Sequence, residues 1–517
     1  MLIASYVFTF FISLYPLLYY LNLYQKQYYD FRRFTKLFFQ KFTLNYGKIL
    51  IFILLSVASF ISIKNNSLNV IRYLLILVFS LMLYYIKIND KIIPFKITNR
   101  VKRFIIGYTF LYALFVFFSL LIRVNFYHIP YLYFYFFPLI YVISCYANFL
   151  IEKLVLKKYI KQAKNKLQKC KKLTIIGISG SYGKTSTKNY IYHLVSKSYS
   201  TLTTDKSYNT FNGILKTINE KLNPSYKLLL LELGIDKING MNKFIDFFNF
   251  DIATLTAIGS QHLSTFKSID NIEKEKIKLL TSLKNNNIAI INLDEKRIEE
   301  NQKNLKCKII TISATKKADI YATHINCLLD KTVFNLNIFN KTYKVTTQTT
   351  GKHHITNILI AIAIAKQLNI SDEIIVKRLQ TLSNPNNRLK ITHHEKWTIL
   401  DDSYNSNYIG FVNALNTLNL ANSKKVIITP GLIELNKDNT NKNSEIADKI
   451  YEIADIILLV SDNAKTIYNY LINKNNNRKI ILYFKLYKDA INYLKHNYED
   501  KNITILIEND LPESYLK

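Results

Sequence analysis

Residues 172–186 read KLTIIGISGSYGKTS, and this stretch decides the fold. The run KLTIIGIS is short and apolar, as expected of a buried strand, and TKNYIYHLVSK after the glycines is typical of a helix. A strand, a glycine loop and a helix in that order form the setting in which a loop binds phosphate. Glycines let backbone N–H groups approach the phosphates, and the helix amino terminus adds a favourable dipole. We therefore expect a nucleotide site here.

The loop itself supplies the groups that a nucleotide needs. Lys184 would neutralise the β- and γ-phosphates, and the hydroxyl of Thr185 would bind Mg²⁺. The strict pattern GxxxxGK[ST] is not met, because its first glycine falls on Ile178. A chance glycine turn before a helix therefore stays open for this loop alone. The predicted nucleotide-binding residues of the loop are Gly180, Ser181, Tyr182, Gly183, Lys184, Thr185 and Ser186.

Further strands follow the loop, and polar side chains stand at their ends. LLLLELG at 228–234 carries Glu232, and the strand that opens DIATLTAIGSQHLSTFKS at 251–268 is followed by His262. Ligands of open α/β sheets bind outside the carboxyl ends of the strands. We therefore expect Glu232 and His262 beside the phosphate loop.

Several motifs in this order resemble those of the Mur ligases, the ATP-dependent amide-bond-forming enzymes of peptidoglycan synthesis. They are GxxGK[ST] at 180–185, KSYNT at 206–210, LELG at 231–234, GKHHITN at 351–357 and DDSYNSN at 401–407. Within that family they most resemble the type that joins D-alanyl-D-alanine to UDP-N-acetylmuramoyl-tripeptide. The resemblance covers about residues 172–465. It implies ATP and two Mg²⁺ ions at the site.

The resemblance also assigns roles to individual residues. It implies catalytic roles for Lys184, Lys276 and His262, with Thr185, Glu232, His262 and a carbamylated Lys276 as metal ligands; Lys274 is the less favoured choice for carbamylation. It implies nucleotide contacts from Asn292, Asn357, Arg388, Asp402 and Asn405, and substrate contacts from Ser207, Asn209 and Thr210. The chain departs from the family pattern at His354, Asn387 and Tyr408, where Asn, Gly and Pro are usual.

The first 150 residues read as membrane spans. Apolar segments run over about 2–24, 49–63, 69–86, 104–122 and 128–151, and a span needs roughly 20 apolar residues. The second and third segments are short or carry a charge, so three to five spans are expected. Lys and Arg crowd the segments 25–48 and 87–103, and such loops favour the cytoplasmic side. With five spans, the amino terminus lies outside and the body faces the cytoplasm.

Composition limits the other readings. The formal charge is +33, but no Arg-rich tract or basic-aromatic stripe stands out, so nucleic-acid binding is not expected. A basic chain beside anionic lipid fits the charge better. The four cysteines, Cys145, Cys170, Cys307 and Cys327, have neither metal nor disulfide spacing.

The expected fold is an α-helical transmembrane region at 1–155, a phosphate-loop α/β domain at 156–384 and a Rossmann-like α/β domain at 385–517. The expected reaction adds D-alanyl-D-alanine to UDP-muramoyl-tripeptide through an acyl phosphate, at the bacterial inner (cytoplasmic) membrane. Other cell-wall precursor enzymes are expected as partners. The soluble domain that usually holds the UDP-sugar is not found, and membrane spans occupy its place.

Two alternatives stay open. One is another membrane-associated ligase of the same superfamily, of the capsule polyglutamate synthase or muropeptide-amidating kind. The other is a membrane scaffold with a degenerate nucleotide fold. The SYNT and DDSYN segments favour the ligase that adds D-alanyl-D-alanine over the other ligases of the superfamily. The intact Lys184 and Glu232 argue against the scaffold.

Overall fold

The computed structural model describes residues 2–26, 29, 31, 33–36, 95–121, 129–205, 208–261, 263–404, 408–432, 439–474 and 479–509. These residues fall into two compact units that divide between Lys158 and Tyr159. The described part of the first unit is helical. The second unit contains two β-sheets with helices packed against them.

The first unit contains α1 (Leu2–Lys26), α2 (Asn99–Leu121) and the beginning of α3 (Ile129–Lys169). Leu17 and Tyr108 belong to its buried cluster, in which the Tyr108 hydroxyl donates to Oγ of Ser13 at 2.8 Å. Other apolar side chains of α2 face outward: Ile106 is 68% exposed and Phe110 is 63% exposed.

Among the described residues, α2 is the one helix long and apolar enough to cross a membrane, judged by length and composition. The expected spans at 2–24, 104–122 and 128–151 fall largely on α1, α2 and α3. The expected spans at 49–63 and 69–86 lie outside the described residues.

The first sheet of the second unit has nine strands in the order β2-β3-β1-β4-β5-β6-β7-β8-β9. Strands β1 to β7 pair in parallel, and β8 and β9 add an antiparallel ribbon. Their bounds are β1 (Thr174–Ser179), β2 (Thr201–Thr203), β3 (Leu228–Glu232), β4 (Ile252–Leu255), β5 (Ile288–Asn292), β6 (Lys308–Ser313), β7 (Ile320–Cys327), β8 (Thr332–Ile338) and β9 (Lys341–Thr347).

Strands β3 and β4 are buried along their whole length and β1 along its last four residues, which explains their continuous apolar runs. All five residues of β3, LLLLE, are buried. Because β1 lies between β3 and β4, the chain that leaves β1 enters the loop at residue 180 with both neighbouring strand ends beside it. The predicted strands at 172–179 and 228–234 are confirmed to within two residues, and the strand predicted to open the stretch 251–268 is β4.

Helices connect these strands and cover the sheet. One of these helices, His353–Gln367, buries every side chain from Ile358 to Ala365. It is apolar around its whole circumference there because it packs on both the sheet and the helix after the phosphate loop. The helices are α4 (Lys184–Val195), α5 (Phe211–Lys221), α6 (Asn242–Ile245), α7 (Leu263–Phe266), α8 (Ile269–Thr281), α9 (Lys296–Asn301), α10 (His353–Gln367) and α11 (Asp372–Leu379).

The second sheet has six strands in the order β10-β11-β15-β12-β13-β14. Its strands are β10 (Lys390–His394), β11 (Trp397–Asp402), β12 (Lys424–Thr429), β13 (Ile456–Val460), β14 (Ile480–Phe484) and β15 (Ile503–Glu508). Its helices are α12 (Tyr408–Asn419), α13 (Asn439–Ile453), α14 (Lys465–Lys474) and α15 (Tyr487–Tyr498).

The expectation of a parallel sheet in this region is correct for five strands and wrong for β10. Strand β10 pairs antiparallel with β11, and His394 faces Trp397 across a two-residue turn. A two-residue turn joins antiparallel strands only, whereas a parallel pair needs a long crossover. Glu395 in that turn takes a positive φ of 43°, as tight hairpin turns require.

The packing of the β8–β9 ribbon can be tested with Phe334→Ala. Phe334 is 1% exposed in the core of the first sheet, so its removal should lower the free energy of unfolding by about 3–5 kcal/mol. The matched control is Phe339→Ala, at a side chain that is 47% exposed, and it should cost less than about 1 kcal/mol. Urea titration followed by circular dichroism measures both. Equal losses would contradict the assigned register.

Candidate functional site

The loop between β1 and α4 can be built only with glycine at two positions. Gly180 has φ of +144°, and a Cβ there would lie 2.1 Å from Oγ1 of Thr256. Gly183 has φ of +80°, and a Cβ there would lie 2.7 Å from Oδ1 of Asn357. Both close approaches bring polar groups of β4 and α10 against the loop. The predicted strand, loop and helix are therefore confirmed, with α4 beginning at Lys184.

Two lysine side chains share one backbone oxygen in this loop. Nζ of Lys184 donates to O of Gly180 at 2.7 Å and to O of Ser181 at 3.1 Å. Nζ of Lys276, which extends from α8, donates to the same Gly180 oxygen at 2.9 Å. Lys274 is exposed, so of the two lysines considered on this helix it is Lys276 that reaches the loop.

Burial and like charge disfavour the protonated forms of both amines. Burial lowers the pKa of Lys184 to about 8, with Glu232 opposing the shift and Arg388 adding to it. Burial lowers the pKa of Lys276 well below its usual value, and the neighbouring Lys184 lowers it further. A site that holds such amines side by side favours a ligand of negative charge.

Glu232 is the carboxylate next to these amines. It ends β3, is 1% exposed, and accepts hydrogen bonds from Oγ1 of Thr185 at 3.0 and 3.1 Å. Nδ2 of Asn209 donates to Oε1 of Glu232 at 3.1 Å. Nζ of Lys188 lies 3.5 Å from Oε2 of Glu232. The predicted Thr185, Glu232 and Asn209 are therefore brought together.

The residues of this corner fit a magnesium ion. Mg²⁺ is usually held by one or two carboxylates together with water and substrate phosphates, so a hydroxyl and one carboxylate beside a phosphate loop suffice. Thr185 and Glu232 supply that pair. Within the described ranges, no group of three or more His, Cys, Asp or Glu side chains could hold a metal by itself. Phosphate oxygens would have to complete the coordination.

Asn292 and Asn357 hold the loop and the neighbouring strand end in place. Nδ2 of Asn292 donates to O of Thr256 at 3.0 Å, which ties the end of β5 to the end of β4. Oδ1 of Asn357 accepts from Oγ1 of Thr187 at 3.1 Å and faces Gly183. Asn357 thus lies against the loop, and its predicted nucleotide contact remains a prediction.

Arg388 and Asp402 come from the second sheet and its linker. The guanidinium of Arg388 lies 4.2 Å from the ring centre of Tyr404, and its charge is near enough to lower the pKa of Lys184. Oδ1 of Asp402 accepts from N of Leu389 at 3.0 Å. Burial raises the pKa of Asp402 to about 6, although Arg388 opposes this shift. Both residues belong to the compact unit that contains the phosphate loop.

Three predicted site residues lie outside the described residues: His262, Ser207 and Asn405. Thr210 is described, and its Oγ1 accepts from N of Gly213 at 3.2 Å as the amino-terminal cap of α5. This cap accounts for a Thr at that position. The predicted substrate contact of Thr210 remains a prediction.

Sequence reasoning missed two groups at the site. Lys188 is 2% exposed, and besides Glu232 it binds O of Thr204 at 3.1 Å. Its place one helical turn after Lys184 was the available signal. Asp294 was also missed; its carboxylate accepts from Oγ of Ser313 and Oγ1 of Thr315, both at 2.6 Å, and fixes the chain beyond β6.

A separate cleft of about 590 Å³ lies between β7 and α12. Thr323 and Cys327 line one side, Asn413 and Thr417 the other, and Lys352 lies at the end of the cleft that adjoins α10. None of the predicted nucleotide, metal or substrate residues lines it. The cleft therefore lies outside the cationic corner at Gly180.

With the geometry in place, the class of the protein follows from comparison with known families. Residues 178–365 match the Mur ligase middle domain. This range includes the phosphate loop, Glu232, Lys276, Asn292 and Asn357. This part of the chain is therefore similar to a Mur ligase middle domain.

Several curated relatives carry the name UDP-N-acetylmuramoyl-tripeptide--D-alanyl-D-alanine ligase. The chain is 32% identical to the ligase of Buchnera aphidicola subsp. Baizongia pistaciae over 280 residues, 54% of this chain and 61% of that one. It is 26% identical to the ligase of Escherichia coli K12 over 268 residues, 51% of this chain and 59% of that one. The chain thus spans about three fifths of the length of these two relatives.

Solved structures show the same fold. A MurF crystal structure from Acinetobacter baumannii matches with a TM-score of 0.64 at 21% identity, covering 69% of this chain and 79% of that chain. MurF ligase of Thermotoga maritima in complex with ADP matches with a TM-score of 0.61 at 20% identity, covering 70% of this chain and 82% of that chain. The two α/β sheets thus have the multi-domain architecture of these ligases.

The glycine requirement can be tested with Gly183→Ala. The new Cβ would press on Asn357 at a positive φ, so we expect the affinity for MgADP to fall at least tenfold. The control is Gly107→Ala in α2, where no atom lies within 4 Å of the added Cβ, and its affinity should be unchanged. Isothermal titration calorimetry measures both. Unchanged binding by Gly183→Ala would refute this loop as the nucleotide site.

Proposed function

We propose that the chain is an ATP-dependent ligase that joins D-alanyl-D-alanine to UDP-N-acetylmuramoyl-tripeptide. The observation that carries the proposal is the pair of amines of half-buried Lys184 and buried Lys276 on the oxygen of Gly180 beside Glu232. Their charge favours a polyanion, and the relatives that share this domain are named for this reaction. The capsule-synthase and muropeptide-amidating alternatives lack comparable support.

The chemistry begins with activation of a carboxylate. The terminal carboxylate of the tripeptide attacks the γ-phosphorus of ATP, the bond to ADP breaks, and an acyl phosphate forms. The amine of the dipeptide then attacks the acyl carbon and phosphate leaves. Lys184 would stabilise charge on the transferring phosphoryl group, since positioning and charge stabilisation dominate such transfers.

Magnesium would offset the phosphate charge when bound, with Thr185, Glu232 and His262 as its ligands. We propose that Lys276 is carbamylated, as the family resemblance implies. The burial of Lys276 supports this, because an amine reacts with carbon dioxide in its neutral form and its pKa is lowered here. The resulting carboxylate would place a negative charge beside the ammonium group of Lys184.

The nucleoside would lie on the side of β5, near Asn292 and Asn357. Arg388, Asp402 and Asn405 would reach it from the second sheet. Closure of that domain would exclude water from the acyl phosphate, which protects it from hydrolysis. Asn209, already bound to Glu232, would lie near the reacting carboxylate together with Ser207 and Thr210.

Substrate omission tests the assignment directly. The full-length chain in detergent receives ATP, Mg²⁺, UDP-muramoyl-tripeptide and D-alanyl-D-alanine, and phosphate release is measured with each component left out in turn. We expect release only when all four are present. Release that does not require the dipeptide would reject this ligase in favour of another amide ligase of the superfamily. A chain that releases no phosphate under any condition would support the scaffold.

Lys184→Ala should abolish ligation, with at least a hundredfold loss of kcat, because the charge on the transferring phosphoryl group loses its nearest cation. Lys197→Ala is the matched control, since Lys197 is exposed just beyond α4. Its rate should equal that of the unmodified chain. Activity of Lys184→Ala within tenfold of the control would disprove the role of Lys184.

We also propose that residues 1–155 anchor the enzyme in the bacterial cytoplasmic membrane as a multi-pass region. The exposed apolar side chains of α2, Ile106 and Phe110 among them, support this, because a soluble protein rarely exposes such a surface. Arg100 and Arg103 both bind the carboxylate of Glu152, at 2.9 and 2.6 Å. Both guanidinium groups therefore have a carboxylate partner within the helical unit.

Exposed lysines on α3 and just after it support a cytoplasmic lipid surface near this helix. A basic run immediately after an apolar segment is attracted to anionic lipid headgroups. The exposed members are Lys153, Lys157, Lys158, Lys161, Lys164, Lys169, Lys171 and Lys172. We propose that the catalytic unit faces the cytoplasm, where ATP is available and where other cell-wall precursor enzymes act.

Membrane anchoring predicts that the chain stays in the membrane pellet after alkaline carbonate extraction and is released by detergent. Protease added to inverted membrane vesicles should digest residues 159–514, whereas intact spheroplasts should protect them. Western blotting against a carboxyl-terminal tag measures both. Release by carbonate alone would contradict the anchor, and digestion in spheroplasts would contradict the orientation.

A further inference from the structure

A buried tyrosine connects the helix of the phosphate loop to the chain between the two sheets. Tyr190, in the second turn of α4, is 1% exposed. Its hydroxyl lies 2.8 Å from Nδ1 of His354, and it donates to Oδ1 of Asn384 at 3.3 Å. His354 and Asn384 are each more than 160 positions from Tyr190 in the sequence, so only the fold brings the three residues together.

The hydrogen bonds of Asn384 determine where each proton lies. Nδ2 of Asn384 uses both of its hydrogens, one on O of Thr350 at 3.1 Å and one on O of Leu389 at 2.8 Å. Oδ1 of Asn384 can therefore only accept, and the single proton of the Tyr190 hydroxyl goes to it. His354 must then donate from Nδ1 to the tyrosine oxygen. This leaves Nε2 of His354 as a bare acceptor, and it has no hydrogen-bond partner among the described residues.

Asn384 also closes the linker between the sheets. Its amide spans Thr350, just before α10, and Leu389, just before β10. Leu389 takes a positive φ of 57°, and its N–H donates to Asp402, so the turn is held at both of its ends. Arg388 lies inside this turn. Its position relative to Lys184 therefore depends on how firmly Asn384 is held.

We propose that Tyr190, His354 and Asn384 are positioning residues that couple the phosphate-loop helix to the linker bearing Arg388. The three residues act through Arg388 and Asp402 rather than on the substrate, and the inference rests on the proposed ligase activity only for its kinetic readout. His354 occupies the position where the family pattern has Asn. The ring keeps one N–H donor for Tyr190, which explains how this replacement is accommodated.

Hydrogen exchange tests the coupling without requiring any activity. In full-length Tyr190→Phe, the amides of residues 384–390 should exchange about tenfold faster, because Asn384 loses its donor. The matched control is Tyr199→Phe. The Tyr199 hydroxyl donates to O of Leu368 at 2.5 Å, and both residues belong to the part of the second unit that contains the nine-stranded sheet. Its linker exchange should not change. Unchanged linker exchange in Tyr190→Phe, or an equal increase throughout residues 172–383, would overturn the proposal.

Kinetics supply the second readout. Tyr190→Phe should lower kcat about five- to tenfold with little change in the KM for ATP, and it should have no added effect in an Asn384→Ala background. His354→Asn should retain near-normal kcat because its amide can still donate, whereas His354→Leu should not. Additive losses, or equal rates for the two His354 variants, would refute the network. If the unmodified chain shows no ligation, the proposed function fails and the exchange result still decides this inference.

Discussion

Two amines on the oxygen of Gly180, half-buried Lys184 and buried Lys276, are the constraint on which the rest of the site depends. Moving one ammonium group out of water is costly, and placing a second beside it adds repulsion. Glu232 lies nearby, but it is also within ion-pair distance of Lys188. The corner thus has more positive than negative groups. Such an arrangement is explained when a ligand supplies the missing negative charge, as nucleotide phosphates would.

The fold is arranged to hold this corner together. Because β1 lies between β3 and β4, Glu232 and Thr256 meet the loop from opposite sides. A side chain at Gly180 or Gly183 would force these neighbours apart. The same close packing brings α10 against α4, so that Asn357 touches the loop. Local backbone geometry and the electrostatics of the site therefore depend on the same contacts.

Sequence reasoning found the parts of the site that have local signals. The strand end at Glu232 and the glycine loop follow from apolar runs and turn residues over a few positions, whereas Asn292 was assigned from the family resemblance. Lys276 needed the family resemblance, because a lysine on a helix usually reads as part of a solvated face. The Tyr190 network was beyond reach, since its partners are more than 160 residues away and Tyr190 itself looks like an ordinary core residue. The antiparallel β10 was missed because its two-residue turn, Glu395 and Lys396, contains no glycine.

The total charge of the chain illustrates the difference between composition and location. A net charge of +33 suggested a polyanionic partner, yet most of the 69 Lys and Arg residues carry no such information. An isolated exposed lysine is screened by water and salt, so by itself it has little effect on what binds. Lys188 and Lys276 are buried and Lys184 is half-buried, and there each charge must be matched by a specific neighbour. At the proposed site, specificity for phosphate would therefore come from a few desolvated amines around one loop and not from the basic surface.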